Sequence, residues 1–338
     1  MLSRTFEARD ERRGQSFPCE VWRPADADDA DGAGAVRPLP GLVYSHYSGG
    51  NRRVATFLTT HLASHGYVVA ALDHSEVVSA RMQPRDRETA EERAARVQGW
   101  IDNRVPDIGF LLDAVLSAEA GGEGPVGIVG HSFGGWTALA AADADERIDA
   151  VVALAPAGSA TRRPGIIPVR ASFRPERAVP TLFVGGDRDQ SIPIDGVREL
   201  FHESPWPSRL LVLRAADHLH YVDDIATAHE AFRQLPAEGD LAWIAGMRPI
   251  GELCAPAAAQ AVVWAITLAH FDATLRGGSG GGVRGRRLVG RAGRTRHRRG
   301  RRSGAVALGA GAGSLCRPDK QPDKATDRVG CVRRSGAP

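Results

Sequence analysis

Short, almost unbroken apolar runs recur along the chain. They are Leu42-Val43-Tyr44, YVVAAL (67–72), VGIV (126–129), AVVAL (150–154), TLFV (181–184) and LLVL (210–213). Each is too short for a helix and apolar at successive positions, the pattern of strands buried on both faces of a parallel sheet. Between them the apolar period lengthens. Val54, Phe57, Leu58 and Leu62 recur at helical spacing within 51–65, where Asn51 is the predicted N-cap and Gly66 the stop. Ile108, Leu111, Leu112 and Val115 repeat that spacing before the third run. Alternating strands and helices predict an α/β fold: a mostly parallel, doubly wound sheet with helices on both faces. Segments around 5–8 and 18–22 are expected as antiparallel edge strands, with 26–40 a polar loop.

Elsewhere the rhythm breaks. Residues 157–179, rich in Arg and Pro, are predicted to form an insertion over the sheet edge. The charged stretch 79–96 reads as a surface helix or flap. Residues 241–275, with Trp243, Ile244, Val262, Val263, Ile266 and Leu268, read as a packed closing helix. Beyond Leu275 the material changes to Gly and Arg with no aromatic residue. The expected division is therefore a folded body, 1–275, and a tail, 276–338, that buries too little to fold.

Charge sharpens this division. The formal net charge is +3, but 17 of the 43 basic residues and only 3 of the 40 acidic ones lie from Arg276 onward. The body thus carries −11 and the tail +14. The tail reads as an arginine-rich nucleic-acid arm, a solvated extension or an out-of-frame stretch; the abrupt change favours the last, and no nucleic-acid partner is expected. No run reaches the roughly 18 apolar residues of a membrane span. MLSRTFEARDERRG has no apolar signal core. Cys19, Cys254, Cys316 and Cys331 form no C-x-x-C pair, which suits a reduced, cytoplasmic setting without disulfides.

The chemistry concentrates at strand ends. Gly130-His131-Ser132-Phe133-Gly134 matches G-x-S-x-G between the VGIV strand and the helix-like WTALAAA. A nucleophile elbow needs that strand–turn–helix setting. A serine hydroxyl needs a general base, and the base an orienting acid. After TLFV comes Gly185-Gly186-Asp187-Arg188-Asp189; after LLVL comes Asp217-His218-Leu219-His220. Asp189 is favoured over Asp187 as the acid and His218 over His220 as the base. The order Ser, acid, His fits an elbow-based hydrolase. The oxyanion donors are expected to be the backbone N–H of Phe133 and that of Ser48, with Tyr47 the alternative, from the loop Ser45-His46-Tyr47-Ser48-Gly49-Gly50. His218-Leu219-His220 lacks further ligands, so no metal is expected, and no organic cofactor either.

These blocks resemble a known family. YSHYSGGNRR with THLASHGYVVAALDH (44–74), GIVGHSFGG (127–135), PTLFVGGDRDQSIP (180–193) and RAADHLHYVDD (214–224) look like an α/β-hydrolase of the dienelactone-hydrolase-like group, close to bacterial relatives of platelet-activating factor acetylhydrolase. The resemblance implies Ser132, His218 and Asp189 as nucleophile, base and acid, with donors from Ser48 and Phe133. It implies a serine esterase acting on a small-molecule ester of modest size. Lactone hydrolysis, acyl transfer or perhydrolysis on the same scaffold are alternatives. Relatives usually read S-H-G where this chain reads Ser45-His46-Tyr47. If that glycine has φ > 0, Tyr47 is strained or the loop shifts, and an impaired binding protein is the further alternative.

Overall fold

A computed structural model describes residues 1–25, 38–122 and 124–277, and the backbone of 327–329. The strands are β1 (Leu2–Asp10), β2 (Gln15–Arg23), β3 (Gly41–Ser45), β4 (Val68–Leu72), β5 (Val126–His131), β6 (Ile148–Leu154), β7 (Thr181–Gly186), β8 (Ser208–Leu213) and β9 (Asp327–Val329). They form one sheet in the order β1-β2-β4-β3-β5-β6-β7-β8-β9. β1 and β2 pair antiparallel, as do β2 and β4; every later pairing is parallel. All six apolar runs are strands. Their two-residue alternation feeds two cores: Val43, Ile128 and Phe183 on one face, Leu42, Val129 and Val184 on the other.

The principal helices are α1 (Thr56–Ser64), α2 (Ala90–Leu111), α3 (Phe133–Ala144), α4 (Ile194–Glu203), α5 (Ile225–Arg233) and α6 (Pro256–Phe271). α1 begins four residues later than its pattern predicts. Asn51 does not cap it; the Asn51 side chain accepts from Arg53 N in the preceding turn at 2.8 Å. The cap comes from far away: the Asp223 carboxylate accepts from Thr56 N at 2.9 Å and Phe57 N at 2.7 Å. The charged stretch 79–96 divides into a 3₁₀ turn, Ala80–Met82, and the start of α2, closed by a Thr89–Glu92 capping box. Ile108, Leu111, Leu112 and Val115 are all buried, although a π turn, Leu112–Leu116, interrupts their helix.

The closing helix is shorter than expected. Gly239–Gly246 is a 3₁₀ segment, and only α6 is a full helix. Pro256–Arg276 is long and apolar enough to cross a membrane, yet Val263 and Phe271 lie in the core against the sheet. Residues 157–179 connect β6 and β7 without regular structure and cover the start of α3. Trp136 Nε1 donates to Arg170 O at 2.9 Å, and Glu199 of α4 accepts from Thr161 N at 3.1 Å. The tail expectation falls almost wholly outside the described residues. Among the described cysteines, Cys19 is a free buried thiol.

Candidate active site

The carboxyl ends of the parallel strands form the edge where open α/β sheets place their sites. β5 ends at His131 and α3 starts at Phe133, leaving Ser132 alone to reverse the chain. Its backbone sits at φ 61°, ψ −116°, a conformation costly for a residue with a Cβ. Ser132 N donates to Leu154 O at 2.9 Å, and Ala157 N donates to Ser132 O at 3.1 Å. The flanking glycines are sterically required. A Cβ on Gly130 would stand 2.0 Å from Gly134 O, and one on Gly134 would stand 2.1 Å from Ser45 O.

The next two turns meet this elbow. His218 Nε2 lies 2.9 Å from Ser132 Oγ, and His218 Nδ1 lies 2.7 Å from Asp189 Oδ2. Asp189 Oδ1 accepts from Ile192 N at 2.8 Å, which fixes the carboxylate plane. Asp187 does different work: Oδ1 accepts from Ala215 N at 2.6 Å and ties the two turns together. His220 is also turned away. Its Nδ1 accepts from Asp217 N at 2.9 Å, while Nε2 donates to Cys254 O at 3.1 Å.

The surroundings of His218 favour its protonated form. Burial alone would lower its pKa, but the adjacent Asp189 carboxylate, by charge and hydrogen bond, outweighs burial and raises it, with Asp217 adding to the effect. Asp217 was not singled out from the sequence. Burial, then repulsion from Asp189, pushes its carboxyl up to about 6, and its Oδ1 accepts from His218 N.

Phe133 N belongs to the first residue of α3, one of the four helix amides without an intrahelical acceptor. Ser48 lies in a turn closed by Gly50 N donating to Tyr47 O at 3.1 Å. The positive φ in this loop is at Gly49, +70°, and Tyr47 is not among the residues with positive φ. The strain expected of a bulky residue at 47 therefore does not arise. Instead the half-buried Tyr47 ring packs on the Leu219, Val222 and Ile225 cluster and stands edge-on to His131 at 5.7 Å.

Beneath this loop lies a buried polar group that sequence reasoning missed. Arg104, fully buried in α2, donates from Nη1 to His46 O at 2.7 Å and from Nη2 to Tyr47 O at 3.3 Å. Its counter-ion is Glu76, an ion pair and hydrogen-bond partner. Burial pushes the Glu76 carboxyl up and the Arg104 guanidinium down, and each is the other's compensating charge. The guanidinium also lies over the Phe133 ring, 4.3 Å from its centroid. One signal was available: Arg104 sits four residues before Ile108, on the apolar face of its helix.

Beside Arg104 is a second Ser–His–Asp chain. Ser45 Oγ lies 2.9 Å from His74 Nε2, and His74 Nδ1 lies 3.1 Å from Asp107 Oδ2. All three residues are fully buried. His74, Glu76 and Asp107 also place ligand-type atoms within 4.8 Å of one another. Those atoms are already committed to Ser45, Ser75, Arg13 and Arg104, and two guanidinium charges oppose a cation there.

Residues 30–224 match the dienelactone hydrolase family. Platelet-activating factor acetylhydrolase of Cavia porcellus is 23% identical over 220 residues, covering 54% of this chain and 48% of that protein. Cutinase est1 of Thermobifida alba is 27% identical over 171 residues, 51% of this chain and 47% of the cutinase. The chain thus spans about half the length of these curated relatives. A ferulic acid esterase structure from Streptomyces cinnamoneus superposes with a TM-score of 0.54 at 20% identity, over 81% of this chain and 90% of that one. A dienelactone hydrolase-like promiscuous phosphotriesterase from metagenomic libraries gives 0.53 at 20%, over 81% and 98%. At that identity the two structures speak for the fold alone, the α/β-hydrolase fold. With more than half of its length matched, and the sheet order and strand-end turns described above, the chain belongs to the dienelactone hydrolase family.

Proposed function

We propose that the protein hydrolyses carboxylic esters of modest size through an acyl-enzyme on Ser132. The observation that carries this reading is the hydrogen-bonded chain Ser132–His218–Asp189 at a backbone-strained elbow. The family match and the ester-cleaving names of the curated relatives support it.

In this mechanism the Ser132 hydroxyl passes its proton to His218 Nε2 as Oγ attacks the acyl carbon. Asp189 holds the imidazole by Nδ1 and stabilises the imidazolium. The Phe133 and Ser48 amides receive the oxyanion, an interaction stronger in the transition state than in the ground state. Collapse expels the alcohol, which takes its proton from His218. Water, deprotonated by His218, then attacks the acyl-enzyme, and Ser132 recovers its proton as the acid leaves. This chemistry uses only the chain's own residues, and a cytoplasmic setting is part of the proposal.

Ser132→Ala is expected to abolish p-nitrophenyl acetate hydrolysis and labelling by a fluorophosphonate probe. Unchanged turnover in that variant would sink the mechanism. Lactone hydrolysis, acyl transfer and perhydrolysis share the acyl-enzyme step, and product analysis with competing alcohols or peroxide separates them.

A further inference from the structure

We propose that Arg104 is a positioning residue for the oxyanion donors, holding the Tyr47–Ser48 peptide so that the Ser48 N–H points toward the elbow. The proposal rests on the ester-hydrolase reading above. It starts from the planarity of the peptide. In a trans peptide the carbonyl of one residue and the N–H of the next point in opposite directions. Fixing the Tyr47 carbonyl therefore fixes the Ser48 N–H.

The Tyr47 carbonyl accepts from three donors: His46 Nδ1 at 2.6 Å, Gly50 N of its own turn at 3.1 Å and Arg104 Nη2 at 3.3 Å. Arg104 Nη1 holds the preceding carbonyl, His46 O, at 2.7 Å. His46 is itself oriented, because His74 N donates to its Nε2 at 3.1 Å. Among the described residues no acceptor takes the Ser48 N–H.

The same guanidinium reaches the other half of the proposed hole. Its face lies on the ring of Phe133, the residue that carries the second amide. Gly134 closes the gap between the two halves, packed so tightly on Ser45 and His46 that a Cβ there would meet their carbonyl oxygens. Thus one buried side chain contacts the ring of Phe133 and the carbonyl of Tyr47, whose peptide carries the Ser48 N–H.

A buried ion pair that only filled space could be replaced by apolar groups of similar volume at little cost. Arg104 does more than pair with Glu76, since it gives two hydrogen bonds to consecutive loop carbonyls. The planar fork matters here: a lysine supplies the charge but not this geometry.

The test uses Arg104→Lys and a charge-free double variant, Arg104→Met with Glu76→Gln, which leaves no buried charge unpaired if the first variant fails to fold. With p-nitrophenyl acetate, kcat is expected to fall about 10- to 100-fold, approaching the loss of one oxyanion donor. KM and the acidic limb of the pH profile stay in place. Binding of a trifluoromethyl ketone, which forms a tetrahedral adduct, weakens by the same factor as kcat. A crystal structure of the folded variant is expected to show the Tyr47 carbonyl turned from its present direction. A folded double variant with wild-type kcat and an unmoved peptide overturns the proposal. Retained turnover in Ser132→Ala would instead defeat the hydrolase reading, and the crystallographic comparison would still decide whether Arg104 fixes the peptide.

Discussion

Two Ser–His–Asp chains lie in this molecule, Ser132–His218–Asp189 and Ser45–His74–Asp107, each with serine-to-histidine distances of 2.9 Å. Connectivity does not separate them; surroundings do. Ser132 stands half-exposed at a turn with φ 61°, directly before the first amide of α3. Ser45 ends a β-strand and is fully buried. Asp189 serves His218, and the pairing raises the histidine's pKa. Asp107 is shared with Arg13 and Ser75, and burial, with the charges of Arg104 and Arg13, holds His74 well below the ordinary imidazole value. A proton relay thus requires access and a carboxylate devoted to its histidine, beyond three side chains in line. On the proposed reading the first chain is arranged for chemistry and the second for cross-bracing.

Four outcomes would break or sharpen this contrast. The largest is expected from Asp189→Asn, which should lower kcat by about 10⁴-fold through loss of the correct imidazole tautomer, with little change in unfolding. Asp107→Asn should do the reverse. It removes a buried partner of Arg13 and His74, so urea unfolding should show a loss of about 2–3 kcal/mol while the folded enzyme keeps its kcat. Equal catalytic losses in both variants would erase the distinction.

pH separates the two next. His218 must be neutral to act as base, and its pKa is raised. Activity therefore grows as pH rises through a value above the ordinary ~6.5 and disappears as pH falls below it. NMR titration of the imidazoles should show His218 protonating in that range while His74 stays neutral well below ~6.5. Reversed behaviour of the two rings would contradict the assignment. The smallest effect belongs to Tyr47→Gly, which removes the ring beside Leu219 and His131. An acyl-length panel should show wider tolerance of long chains, with acetate turnover little altered; an unchanged panel would show that the Tyr47 ring does not limit the acyl group.

Much of the first chain was legible in the sequence because it obeys local rules. An elbow at positive φ between strand and helix needs glycines at fixed offsets, and Gly130 and Gly134 stand there. Buried parallel strands announce themselves as apolar runs, so the turns bearing Asp189 and His218 could be located. Choosing between Asp187 and Asp189 required through-space geometry, since both occupy one turn. The second chain was invisible for a different reason. Ser45 meets His74 across 29 residues and His74 meets Asp107 across 33, and no local pattern encodes such contacts. The start of α1 was misplaced for the same cause: its cap comes from another part of the chain.

That cap has a consequence for the order in which the protein becomes competent. Asp223 lies 167 residues beyond Thr56, shortly after His218, and it stabilises the helix that follows the oxyanion loop. Closing so long a loop is slow compared with forming local turns. On a ribosome, the first half of the chain could build its strands and the elbow, yet the start of α1 would have no cap until the His218 turn had emerged and docked. The proposed base and this cap would therefore arrive together, so that first catalytic turnover would report the docking of the turn that follows β8.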